Sequence, residues 1–87
     1  MSEPTLMEFP CEFPIKMMGR DTPEFRSTMR SIVEKHTGPL DDDVIQNALS
    51  RNGRFVSVTI TVRAESREQL DAIYSEVSAH EDVLMAL

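Results

Sequence analysis

The 87-residue sequence predicts an α+β domain: a four-stranded antiparallel sheet with two helices on one face. Three observations lead there. From Phe55 to Arg63, Val56, Val58, Ile60 and Val62 alternate with Ser57, Thr59, Thr61 and Arg63. Successive side chains of a strand point to opposite faces, so this run has one apolar and one hydroxyl-rich side. Ser66-Arg67-Glu68-Gln69 has the form of a capping box, and Leu70, Ile73, Tyr74 and Val77 follow at helical spacing. A second helical run opens at Asp21-Thr22-Pro23-Glu24 and is stopped by Gly38-Pro39.

Taken in order, residues 1–10 read as an N-terminal tail whose Leu6, Met7 and Phe9 can lie against the domain, which spans residues 11–87. Phe13, Ile15 and Met17 alternate with Pro14, Lys16 and Met18, predicting a first strand that ends at Gly19. Pro14 donates no ladder hydrogen bond, so it belongs near the strand start or at an unpaired position. In the first helix Thr22 caps, Pro23 takes the first helical position, and Phe25, Met29, Ile32 and Val33 form the buried stripe. Asp41-Asp42-Asp43 reads as a solvated loop. Val44 to Arg51 suits either a strand face or a helical turn. The following Asn52-Gly53 turn favours a strand, and Gln46, Asn47 and Ser50 put it at a sheet edge. After the Ser66 helix, Val83 to Leu87 predicts a short terminal strand. The order β-α-β-β-α-β gives a ferredoxin-like sandwich with strands ordered 4-1-3-2.

Composition narrows the function. One core fits this length, and 40% hydrophobic residues suffice to fill it. Nine basic residues against fifteen acidic ones, with a net charge of −6, argue against nucleic acid as a partner. Cys11 is the single cysteine, so no internal disulfide is expected. The N-terminus has neither the basic start nor the apolar core of a signal peptide, and no apolar run approaches a membrane span. A reducing, cytoplasmic setting is expected.

No constellation of catalytic residues stands out, and the chain reads as a non-enzymatic protein without a cofactor or metal. The open sheet face carries Phe55, Ser57, Thr59, Thr61 and Arg63, too few aromatics to stack RNA bases. His36 and His80 stand alone near helix ends, and the Asp41–Asp43 run lacks the spacing of a calcium loop. Cys11 has an adjacent carboxylate rather than an activating cation. One stretch combines a glycine, an arginine and a helix start: Gly19, Arg20 and Thr22 form a candidate site for a small anion or other ligand. Val83, Leu84, Met85, Ala86 and Leu87 offer no polar residue on either side of an edge strand. The tail or a second subunit is expected to cover it, so a protein partner or a dimer through this edge or the open face is anticipated.

The opening Leu6-x-Glu8-Phe9-Pro10-x-x-Phe13-x-x-Lys16-x-Met18-Gly19, the strand Gly53-x-Phe55-x-Ser57-Val58-Thr59-Ile60-Thr61 and the apolar end resemble the YbeD-like family of small bacterial proteins over nearly the whole chain. The resemblance implies the same ferredoxin-like fold, similar to ACT-type regulatory domains, and a regulatory role linked to lipoate metabolism. It implies no catalytic or binding residues. The opening motif has a structural explanation: Phe9 and Phe13 as core anchors and Gly19 as the strand-to-helix turn. Two functions follow as expectations: a regulatory or adaptor protein, and an ACT-like small-molecule sensor.

Overall fold

In the computed structural model, which describes residues 8–50 and 52–87, the elements are β1 (Cys11–Arg20), α1 (Pro23–Thr37), a 3-10 turn (Asp42–Val44), β2 (Ile45–Leu49), β3 (Phe55–Ala64), α2 (Arg67–Ala79) and β4 (Val83–Ala86). The sheet order is β2-β3-β1-β4, with each neighbouring pair antiparallel. This is the ferredoxin-like arrangement, and β3 lies inside it as its alternation requires. Leu6, Met7 and Arg51 lie outside the described residues.

The inward halves of the strands meet the helices in one core. Ile15, Met17, Val56, Val58, Ile60, Val62 and Ala64 come from the sheet, Phe25, Met29, Ile32 and Val33 from α1, and Leu70, Ile73 and Val77 from α2. Every buried residue named there is apolar, and no described polar or charged residue is buried. Phe9 and Phe13 are not core members. Both are half-buried and pack against its margin, where the Phe13 ring meets Tyr74 edge-on at 6.4 Å.

The helix starts form as the sequence specifies. Thr22 Oγ1 accepts from the Phe25 N–H at 3.0 Å, and Ser66 Oγ from the Gln69 N–H at 3.1 Å. The second half of the capping box differs from expectation. Gln69 Oε1 accepts from the Glu65 N–H at 2.7 Å, one residue before the cap, while its Nε2 donates to the His36 carbonyl at 2.8 Å. A residue expected to serve one helix end thus ties α2 to the end of α1.

Three strand details also depart from expectation. β1 runs through Gly19 to Arg20, so Gly19 is a strand residue and not the turn. A Cβ there would come within 2.5 Å of the Phe25 ring and 2.6 Å of the Asp82 carbonyl oxygen, and this close approach is what requires glycine. Val44 ends the 3-10 turn that replaces the expected loop, and β2 begins at Ile45. Pro14 is paired with Thr61, well inside β1. Lys16 exchanges both backbone hydrogen bonds with Leu87, so the nitrogens of Lys16 and Pro14 face the β4 side. The described pairing on that side stops at Lys16, and Pro14 costs the ladder nothing.

Candidate functional site

The helices cover one side of the sheet, and among the described residues no element covers the other. On the open side the registers pair Glu12 with Arg63, Pro14 with Thr61, Lys16 with Thr59, Met18 with Ser57 and Arg20 with Phe55. Phe55, Ser57, Thr59 and Thr61 are half-buried by these neighbours, and Arg63 is exposed. β2 adds Gln46 beside Thr59 and Ala48 beside Ser57.

The strongest feature of this face lies at its β4 border. Met18 pairs with Met85, Met17 with Ala86, and Gly19 with Val83, so the register slips by one residue and Leu84 is left over in a bulge. Val83 and Ala86 are half-buried and pack against the core. Leu84, Met85 and Leu87 turn outward, 62%, 50% and 62% exposed. An unbroken apolar strand therefore does not mean a strand buried on both sides. It follows an in-out-out-in-out course: Met85 opposite Met18 and Leu87 opposite Lys16 form an apolar strip at the border of the open face, and Leu84, in the bulge, lies exposed next to it. Behind the strip, Tyr74 donates its hydroxyl hydrogen to the Leu87 carbonyl at 2.7 Å. Partial burial pushes the Tyr74 phenol above its ordinary pKa.

The candidate ligand site divides differently. A hollow of about 150 Å³ opens where β1 meets α1, lined by Arg20, Thr22, Phe25, Glu81, Asp82 and Leu84. Gly19 is buried beneath it against Phe25, and the Thr22 hydroxyl is engaged in capping. Arg20 is exposed. Glu81 and Asp82, which no sequence motif marks, bring carboxylates to the same place. Nothing local in the sequence joins these two to Arg20; the chain reversal into β4 does.

A larger hollow of about 510 Å³ lies between α1 and the inner side of β2. Its cations are engaged. Arg26 donates to Asp21 Oδ1 at 2.8 and 3.0 Å, and Arg30 bridges Glu34 at 3.2 Å and Asp42 at 2.7 Å. Asp42 is thus an ion-pair partner within the exposed acidic run. Glu34 also accepts from the Leu40 N–H at 2.9 Å, which with Arg30 holds its carboxyl below the usual range. Between the helices, Glu76 accepts from Lys35 and lies 3.0 Å from His36 Nε2, and these contacts lower its pKa in that order. His80 Nδ1 accepts from the Asp82 N–H at 3.1 Å, which holds the turn into β4. No group of three His, Cys, Asp or Glu side chains converges among the described residues, and Cys11 is a half-buried free thiol.

By fold and surface this is a ferredoxin-like α+β protein with an open sheet. The chain belongs to the family described as "Protein of unknown function (DUF493)", which matches residues 4–87, and this is the YbeD-like group its opening motif resembles. It is 41% identical to UPF0250 protein NE1487 of Nitrosomonas europaea over 87 residues, covering 100% of both chains. A UPF0250 protein of Chromobacterium violaceum is 43% identical over 82 residues, 94% of this chain and 92% of that one. Among solved structures, protein HP0495 from H. pylori superposes with a TM-score of 0.78 at 19% identity, covering 98% of this chain and 88% of that one. The C-terminal domain of the MgtC protein from Mycobacterium tuberculosis gives 0.63 at 10% identity, covering 94% and 89%. These likenesses concern the fold. Among the described residues no helix is long and apolar enough to cross a membrane.

Proposed function

We propose that this chain is a non-enzymatic regulatory or adaptor protein of the bacterial cytoplasm that acts by docking its open sheet face on another protein. The observation that carries the reading is the apolar strip of Met18, Met85 and Leu87, with exposed Leu84 in the adjoining bulge, on a face that no element of the described fold covers. Leu84, Met85 and Leu87, each half exposed or more, favour removal from water by a partner. The polar groups elsewhere support the same reading, because Thr22, Ser66, Gln69, Arg26, Arg30 and Glu76 are occupied in holding the fold. The link to lipoate metabolism rests on the family resemblance. It predicts a changed level of protein-bound lipoate when the gene is deleted.

Cross-linked capture from a bacterial lysate tests the reading. The wild-type chain should retain a partner that the Met85→Ser/Leu87→Ser variant loses while keeping its circular dichroism spectrum. Equal capture by both chains, or none above background, would refute it.

A second reading, an ACT-like small-molecule sensor, is favoured by the hollow at Arg20. One guanidinium beside Glu81 and Asp82 suits a zwitterion such as an amino acid better than a simple anion. Ligand in excess should raise the melting temperature. An Arg20→Ala chain that responds like the wild type would remove this site.

A further inference from the structure

β2 forms one border of the sheet and carries none of the features that usually blunt an edge. Ile45, Gln46, Asn47, Ala48 and Leu49 include no charge and no proline, and their register with β3 runs without a bulge. The Ser50 N–H donates to the Phe55 carbonyl at 2.9 Å, which fixes the phase of this hairpin. Backbone groups alternate along a strand, so Gln46 and Ala48 also turn theirs to β3, and Ile45, Asn47 and Leu49 turn theirs outward. The Ile45 N–H is taken by the Asp42 carbonyl in the 3-10 turn. The N–H and C=O of Asn47 and Leu49 and the Ile45 C=O have no partner among the described residues. The side chains of the same residues lie on the helix side, beside Ile60, Val58 and Val56. Even so, Leu49 is 57% exposed, and Ile45 and Asn47 line the hollow between β2 and α1.

From this edge we infer that β2 pairs antiparallel with β2 of a second copy, about a two-fold axis at Asn47, so that two sheets join into one. The inference goes beyond the docking role, which concerns the opposite border. Three properties of the edge choose a second copy. Its backbone is self-complementary: each Asn47 N–H donates to the other Asn47 carbonyl, and each Leu49 N–H to the other chain's Ile45 carbonyl. The engaged Ile45 N–H is the one outward donor that this pairing does not need for those bonds. Its side chains are self-complementary too. Leu49 comes to lie beside Ile45 of the second copy, at the wall of that copy's hollow, and both leave water. Its ends are complementary in charge. Asp41, Asp42 and Asp43 precede β2, and in this register Asp41 falls opposite Gly53 of the other chain, in the turn that carries the exposed Arg54. Asp42 is held by Arg30, but Asp41 and Asp43 are in no ion pair among the described residues. β4 of a second copy suits β2 less well, because its edge is only four residues long and bulged, and a β2-to-β4 contact repeats without closing.

Sedimentation velocity and hydrogen exchange by NMR on the isotopically labelled chain test this at concentrations up to about 1 mM. The strand pair is short, so a reversible dimer should appear in the upper part of that range. As it forms, exchange of the Asn47 and Leu49 amide hydrogens should slow, while that of Gln46 and Ala48, already bonded to β3, should change little. Asn47→Pro removes an outward N–H and leaves the ladder to β3 intact. Leu49→Lys sets a charge against Ile45 of the other copy. Both chains should keep a native circular dichroism spectrum and stay monomeric. If Asn47→Pro fails to fold, Leu49→Lys and the exchange pattern of the wild type decide the matter. A wild-type chain that stays monomeric throughout, a dimer that survives Leu49→Lys, or slowed exchange along β4 in place of β2 would overturn the inference. So would polymers that lengthen with concentration, the mark of a contact that does not close. Met85→Ser/Leu87→Ser should dimerise like the wild type, so lysate capture and dimerisation report on separate borders and can fail separately.

Discussion

Gly19 and Phe25 are packed so closely that a single methyl group on Gly19 would come within 2.5 Å of Phe25 Cε1. The ring fills the space where a strand residue would normally carry its side chain. On the far side the Asp82 carbonyl stands at 2.6 Å from the same point, so one position joins β1, α1 and the approach to β4.

Gly19→Ala should therefore destabilise the chain by about 1–3 kcal/mol, the usual cost of overpacking a filled core. The ring can turn a little, but a backbone carbonyl cannot move without its strand. Urea unfolding measures the loss. A midpoint within error of the wild type would show that β4 is held more loosely than the contact implies.

Val58 is 1% exposed beneath the helices, and Ser57 lies on the open face. Val58→Asp buries an unpaired carboxylate at a cost of several kcal/mol, out of a total stability of about 5–15 kcal/mol. That chain should be unfolded or nearly so by far-ultraviolet circular dichroism, while Ser57→Asp should keep a native spectrum.

Acid stability follows from Glu34 and Glu76. The Leu40 N–H and then Arg30 lower the first, and Lys35 and then His36 lower the second. Groups with a depressed native pKa bind protons first in the unfolded chain as pH falls. Their stabilisation is present above the unfolded value and is lost as pH drops through the native one. The melting temperature should hold near neutrality and fall in the acid range below the ordinary carboxylate value. Glu34→Gln/Glu76→Gln should flatten that fall; an equally steep curve would contradict the assignment.

The Ser66 cap and the Gln69 bridge separate in the same way. Ser66→Ala removes one cap and should cost about 1 kcal/mol. Gln69→Ala removes the bonds to the Glu65 N–H and the His36 carbonyl, so it should loosen the contact between the helix ends as well. Hydrogen exchange at the end of α1 should quicken in Gln69→Ala and not in Ser66→Ala.

What the sequence shows and what it hides divide by distance along the chain. β3 and both helix starts are legible because alternation, helical spacing and caps act over a few residues, as at Val56–Val62, Thr22–Phe25 and Ser66–Gln69. The strand order follows from the element order and the handedness of crossovers. Gly19 is misread as a turn because its reason lies at Phe25 and Asp82, six and sixty-odd positions away. β4 hides its outward strip because one bulge breaks the period-two rule that alternation relies on. The Arg20 hollow is half legible: Arg20 and Thr22 are local, but Glu81 and Asp82 arrive from the other end of the chain.

The Tyr74 bond to Leu87 has a practical use. The chain has one tyrosine and no tryptophan, so its intrinsic emission comes from the ring that supports the back of β4. Phenol emission responds to whether its hydroxyl is donated to a carbonyl. Anything that displaces Leu87 should change the brightness of the unlabelled protein, giving an optical signal for events on the open face.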